Sequence, residues 1–248
     1  MELTDSQKNK IKEQSLDEAP KECCGVIFKD GSMKSCANKS NYPLESFAIR
    51  FDQFEDSELD NLAAFYHSHP GDAEFSLIDK YYAHKRNLPS FIYDVKNDKF
   101  NEYKPNGFFE LPLIGRDFLA NEVDCITLVI DYYKRNLNLE IPDIQHPVRQ
   151  VEPEDWVKHP EFWKYNRRTN EYFVELFEER GFVRVQNLKK YDLILSDNGL
   201  IKAFSHCAVV IEDDQIIHHP YPARSEIQTL SYFNQKSRVA HMRHKSLA

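Results

Sequence analysis

The 248-residue sequence predicts an α+β fold in two domains. Three observations carry this. Helix and strand signals are mixed up to about residue 105, where Pro105-Asn106-Gly107 forms the best linker candidate in the chain. Beyond it a helical pattern is followed by several short strand patterns, the signature of an antiparallel sheet. The length suits two units of ordinary size, each able to bury a core.

Residues 5–18 read as a polar helix leading into Pro20, which stops or starts a helix at that point. Cys24-Gly25-Val26-Ile27-Phe28 reads as a buried strand, ended by the hairpin signal Lys29-Asp30-Gly31-Ser32. Segments near 46–53 and 62–68 are short and strand-like, with acidic residues 55–60 between them. Ser76 caps a helix to about Arg86, with Asp79 at capping-box spacing. Phe91-Ile92-Tyr93-Asp94 and Phe100 to Tyr103 form a hairpin around Lys96-Asn97-Asp98. In the second half Asp124 caps a helix from Cys125 to about Leu137, with Ile126, Val129, Ile130 and Tyr133 on one face. Residues 142–160 carry four prolines and read as loop, and 161–180 as a helix ending at Gly181. Tyr191 to Leu195, Cys207 to Ile211 and Gln215 to His218 are strands, the last two joined by Asp213-Asp214.

Composition excludes several classes of function. A formal net charge of −8 argues against a general binder of nucleic acid or anionic membranes, which needs clustered basic charge. No apolar run approaches the roughly 18–20 residues of a membrane span, and the polar N-terminus has no signal-peptide core. Cys23, Cys24, Cys36, Cys125 and Cys207 make neither a zinc CxxC pair nor an even disulfide framework. Synthesis in a reducing cytoplasm with free thiols is expected.

Two constellations carry chemistry. His67 and His69 in Tyr66-His67-Ser68-His69-Pro70 share one face of a strand, because side chains alternate with a period of two. With Asp79 they supply three ligands for one metal and leave a fourth position for water, the arrangement of a catalytic zinc. Glu22 is a candidate general base, and Ser76 a candidate hydrogen-bond partner of the developing oxyanion or of an attacking water. The plainer alternative is that Ser76 and Asp79 only cap a helix. In the second half, Cys125 begins a helix, where the dipole and free N–H groups lower a thiol's pKa and offer an oxyanion hole. His206 and His218 flank the Asp213-Asp214 hairpin, whose pairing puts His218 near position 209, neighbouring His206 but not opposite it. The plainer alternative for Cys125 is a buried apolar residue.

The first half resembles the JAMM metallopeptidases, through Pro20-Lys21-Glu22-Cys23-Cys24-Gly25, His67-Ser68-His69-Pro70 and Ser76-Leu77-Ile78-Asp79. That resemblance implies a mixed sheet with flanking helices over residues 1–107, zinc on His67, His69 and Asp79, Glu22 as base and Ser76 at the transition state. Nine residues separate His69 from Asp79, one fewer than the family pattern. The second half, 108–248, resembles the NlpC-type cysteine peptidases through Asp124-Cys125-Ile126-Thr127-Leu128-Val129 and the step from His206 to His218. A papain-like fold is implied, with Cys125 the nucleophile, His206 the base and His218 its orienter. Tyr191-Asp192 stands where that family has Gly-Asp, and Thr127 replaces a common glycine. His219 has no assigned role beyond the sheet edge.

The order of the two domains resembles the K-type family of tail assembly proteins of lambda-like, long-tailed phages. Gly115-Arg116, Asp131-Tyr132-Tyr133, Trp163, Glu179-Arg180-Gly181-Phe182 and Met242-Arg243-His244 extend the likeness. It implies a virion tail tip location after synthesis in the host cytoplasm, other tail tip proteins as partners, and peptidoglycan peptide stems as substrate. Three readings stand: a wall-opening hydrolase, a maturation protease acting during tail assembly, and a structural plug with vestigial sites.

Overall fold

Residue 62 onward is apolar for five positions before turning to histidine, which makes it the natural centre of a sheet. In the computed structural model this is β3 (Leu62–His69), flanked on one side by β1 (Cys24–Phe28) and β2 (Met33–Cys36), and on the other by β4 (Ser90–Asp94) and β5 (Lys99–Tyr103). The description covers residues 1–71, 74–119, 122–144, 172–197, 204–236 and 238–247. These fall in two compact units, Met1–Leu111 and Pro112–Ala248.

In the first unit the sheet order is β2-β1-β3-β4-β5, with β3 and β4 parallel and the other pairs antiparallel. The parallel pair needs a crossover, supplied by α3 (Leu77–Arg86). Period-two alternation sorts β3 cleanly. Ala64 and Tyr66 join a core with Leu3 and Ile11 beneath α1 (Asp5–Glu18). Phe65 and His67 point the other way, Phe65 to Tyr82 of α3 and His67 to Phe47. Gly25 permits a close approach between strands, since a Cβ there would collide with the Tyr66 ring and the Lys34 carbonyl.

The segment near 46–53 forms no strand; it is a buried loop followed by a 3-10 turn at Phe51–Gln53. Its apolar residues reflect burial alone, because Asn38 holds the loop backbone, donating to Ser46 O and accepting from Ala48 N–H. The acidic residues that followed form a short helix, α2 (Asp56–Asp60), closed by a Glu55–Glu58 capping box.

The second unit places α4 (Cys125–Leu137) against an antiparallel sheet of order β10-β9-β8-β7-β11-β6. Its strands are β6 (Phe182–Arg184), β7 (Leu193–Ser196), β8 (His206–Glu212), β9 (Gln215–His218), β10 (Glu226–Thr229) and β11 (Val239–His244). A helix α5 (Tyr172–Glu178) supplies Val174 and Phe177 to the core under α4. The rest of the expected 161–180 helix, most of the 142–160 loop and Trp163 lie outside the described residues. β7 starts two residues later than the sequence suggests, because Tyr191 has φ +73°, outside the strand region. No helix among the described residues is long and apolar enough to cross a membrane.

Candidate functional site

In the first unit, β3 delivers His67 and His69 to the same face, with rings 4.8 Å apart and Nε2 atoms 3.1 Å apart. Pairing with Cys24 on β1 and Ile92 on β4 locks His67 in the middle of the sheet. Ser68, between the histidines, turns away and accepts from Cys23 N–H at 2.9 Å, clamping β3 to the start of β1 beside Glu22. Asp79 enters from the first turn of α3. Its Oδ1 lies 3.4 Å from His67 Nε2 and its Oδ2 3.5 Å from His69 Nε2. Glu22 Oε1 is 3.6 Å from His69 Nε2. All four side chains are buried.

Ser76 and Asp79 also form the helix cap. Ser76 N–H donates to Asp79 Oδ2 at 2.7 Å, and Asp79 N–H donates to Ser76 Oγ at 3.3 Å. Capping therefore fixes the orientation of the aspartate that meets the histidines, and the two readings coexist. Burial pushes the Asp79 carboxyl up, but the adjacent His67 and His69 outweigh it and hold the group below the ordinary carboxylate range. Burial holds His67 below the usual histidine value, leaving it neutral, the form that ligates metals. Within this cluster His67 Nδ1 and Asp79 Oδ1 are buried without a hydrogen-bond partner. Phe47, which nothing in the sequence singles out, stacks on His67 at 4.3 Å and fixes its ring plane. Glu22, His67 and His69 each bring one ligand atom to within 4.8 Å of the others, so this buried group could hold a metal ion.

In the second unit Cys125 is the first residue of α4 and is buried. Asp124 caps the helix by accepting from Thr127 N–H at 3.0 Å, while Thr127 Oγ1 accepts from Asp124 N–H at 2.8 Å. Thr127 thus closes a capping box, a physical reason for threonine at this position. The hairpin pairs Ala208, not position 209, with His218, and its register shifts between Val210 and Glu212. Two residues along the strand is the same face, so His206 and His218 are diagonal neighbours. Their contact is a hydrogen bond, His206 Nε2 to His218 Nδ1, 3.0 Å, in a buried setting. Burial holds His206 well below the usual histidine value and His218 at about 4. The structure brings the two histidines together and packs their strands against α4, but draws no hydrogen bond from Cys125 to either.

Two further residues bear on this site. His219 is not at an exposed sheet edge but fully buried, with neither ring nitrogen hydrogen-bonded. It packs edge-on to Phe118 at 5.0 Å, and burial brings it to about 4, with the Asp124 charge opposing. Glu226 of β10 pairs directly with His218, and its Oε1 lies 3.6 Å from His218 Nε2. Only the strand that follows the hairpin could have signalled it.

Other motif residues brace the unit. Arg116 is paired with Asp131 at 2.7 Å. Arg243 grips buried Asp192 through Nε and Nη2, both at 2.7 Å, and Tyr133 Oη donates to Tyr191 O at 2.7 Å. The last bond pins the positive-φ residue that stands where a glycine is usual.

An antiparallel sheet packed on a helix that begins with cysteine, with two histidines joined on its hairpin, defines a class. Residues 115–245 match the NlpC/P60 family, and the chain belongs to it. Residues 5–106 match the prokaryotic homologs of the JAB domain. The chain is similar to Tail tip assembly protein K of Escherichia phage N15, 25% identical over 236 residues, covering 93% of this chain and 90% of that protein. It is also similar to a solved NlpC/P60 family protein from Bacillus cereus, at 14% identity and a TM-score of 0.31, covering 94% of this chain and 66% of that one.

Proposed function

We propose that the chain is a phage tail tip protein whose second domain, residues 108–248, is a cysteine peptidase that cleaves peptide stems of bacterial peptidoglycan. The observation that carries this reading is the buried His206–His218 hydrogen bond on strands packed against the helix that starts at Cys125. His206, kept neutral by burial at pH 7, takes the thiol proton. The sulfur then attacks the stem carbonyl, and the free N–H groups of the first turn hold the oxyanion. His206 returns the proton to the leaving amine, and water, deprotonated by the same ring, releases the acyl group. His218 holds the imidazole in place throughout. Similarity to the N15 protein supports the tail tip location, and with it other tail tip proteins as partners and synthesis in the host cytoplasm.

The first domain, residues 1–107, we assign as a zinc-peptidase-like unit. The donor set fits. A tetrahedral zinc with bonds of roughly 2.0–2.1 Å separates its ligand atoms by about 3.3–3.4 Å. His67 Nε2 and His69 Nε2 stand 3.1 Å apart, and each faces one Asp79 oxygen, Oδ1 at 3.4 Å from His67 and Oδ2 at 3.5 Å from His69. Bound there, zinc would acidify a water and polarise a carbonyl. Glu22, beside His69, is positioned to move a proton, and Ser76 to donate a hydrogen bond from its hydroxyl while accepting the Asp79 N–H.

Zymography on purified cell wall tests the assignment, with wild type, Cys125→Ala and His67→Ala compared. Clearing by wild type and His67→Ala but not by Cys125→Ala is expected. Clearing that survives Cys125→Ala would transfer the activity to the first domain. No clearing by any form would favour a docking role in the tail.

A further inference from the structure

The Cys125 site has a group that neither motif includes. β8, β9 and β10 are consecutive antiparallel strands, and Ala208, His218 and Glu226 are directly paired across them. Paired residues share a face, and His206, two residues before Ala208, shares it too. A row of polar groups therefore crosses three strands: His206, His218, Glu226. The spacing along the row is 3.0 Å from His206 Nε2 to His218 Nδ1, then 3.6 Å from His218 Nε2 to Glu226 Oε1. Gln228 Nε2 donates to that same carboxylate oxygen at 3.1 Å and steadies it. The Tyr232 ring stands edge-on to His218, with ring centroids 4.5 Å apart.

This row constrains where the protons sit. His218 is wholly buried, and its Nε2 has no hydrogen-bond partner. A bare nitrogen there would set its lone pair against a carboxylate, which is repulsive; an N–H would be attracted. A neutral imidazole carries one proton, so placing it on Nε2 leaves Nδ1 as an acceptor. The 3.0 Å contact then requires His206 Nε2 to be the donor, and His206 in turn keeps a bare Nδ1. Without an anion beyond His218, the opposite assignment would serve the His–His hydrogen bond equally well. It would also leave the proton of His206 on Nδ1, the wrong nitrogen for accepting another.

We propose that Glu226 is a positioning residue of this site: its carboxylate holds the His218 proton on Nε2, and so leaves His206 Nδ1 free to take the Cys125 proton. The proposal rests on Cys125 being the nucleophile. In the step it prepares, the S–H bond breaks, a bond forms between that proton and His206 Nδ1, and the electron pair stays on sulfur. The new imidazolium keeps its Nε2–H on His218 Nδ1, and Glu226 remains ionised. Lys236 and His219 are the other charged or titratable groups acting on His206, and Lys236 acts on His218 as well. Both oppose extra positive charge, which leaves Glu226 as the favourable partner.

Glu226 lies on the edge strand and is partly exposed, so its replacement leaves the sheet intact. Nitrogen-15 NMR of labelled histidines in the full chain at neutral pH reads the tautomers directly. Wild type should show both His206 and His218 protonated at Nε2, and Glu226→Ala should show a mixture at both rings. Alkylation of Cys125 should slow about tenfold in Glu226→Ala and be largely restored in Glu226→Asp, in line with other groups that act through a histidine. His218 protonated at Nδ1 in the wild type overturns the proposal. Tautomers unmoved in Glu226→Ala, with Cys125 still fast, overturn the part played by Glu226 alone. A wild-type Cys125 no faster than Cys207 overturns the nucleophile reading along with it.

Discussion

His67 is held from two directions at once: Phe47 stacks on its ring at 4.3 Å and the sheet fixes its backbone, so Nε2 is presented to Asp79 and His69 before any ligand arrives. Such pre-positioning lowers the cost of binding a metal, because the ligands need little further ordering. Purified protein should carry about one zinc per chain, and His69→Ala less than about a tenth of that, measured by elemental analysis. Glu22→Gln should keep its zinc if Asp79 is the third ligand and Glu22 the base; loss of zinc would make Glu22 the third ligand instead, as its carboxylate lies within 4.8 Å of the His67 and His69 ligand atoms. A zinc-free wild type would remove the metal reading. The placement of these residues was the most legible part of the sequence. The His-x-His spacing, the Ser76–Asp79 cap and the Cys125 helix start are local patterns set by the period of a strand or the first turn of a helix. Phe47, His219 and Glu226 were not legible, because each acts through a tertiary contact with no sequence period behind it.

β1 shows how one position decides an element. Gly25 faces the Tyr66 ring and the Lys34 carbonyl at a distance no Cβ tolerates, so β2, β1 and β3 close up only around glycine. Gly25→Ala should destabilise the first unit by about 1–3 kcal/mol, as overpacking does. It should also lower zinc content, because His67 pairs with Cys24, the neighbour of Gly25. Thermal unfolding with metal analysis checks both, and an unchanged transition would contradict the packing account. Elements rich in apolar residues or caps are legible in the sequence: α1, β1, β3, α3, the β4–β5 hairpin, α4 and, apart from its register, the β8–β9 hairpin. The 46–53 segment was not, since burial in a loop looks like burial in a strand. β10 and β11 were passed over because edge or alternating strands such as Glu226-Ile227-Gln228-Thr229 lack a continuous apolar run.

Across the whole chain five thiols report on one claim. Burial pushes Cys23 and Cys36 up to about 11 and Cys24 well above its usual value, so all three are protonated at neutral pH. Raised values mean reactivity that is absent at low pH and returns only as pH climbs toward them. At about pH 6.5 Cys23 and Cys36 would be thiolate less than about once in ten thousand molecules. Cys125 alone has a helix start and a histidine pair on the adjoining strands. Iodoacetamide labelling of the full chain at that pH, with each cysteine followed by peptide mass spectrometry, is the most direct test of the nucleophile. The account predicts that Cys125 is modified first, well ahead of Cys23, Cys24, Cys36 and Cys207, and that His206→Ala slows it. Equal rates at all five cysteines would contradict it.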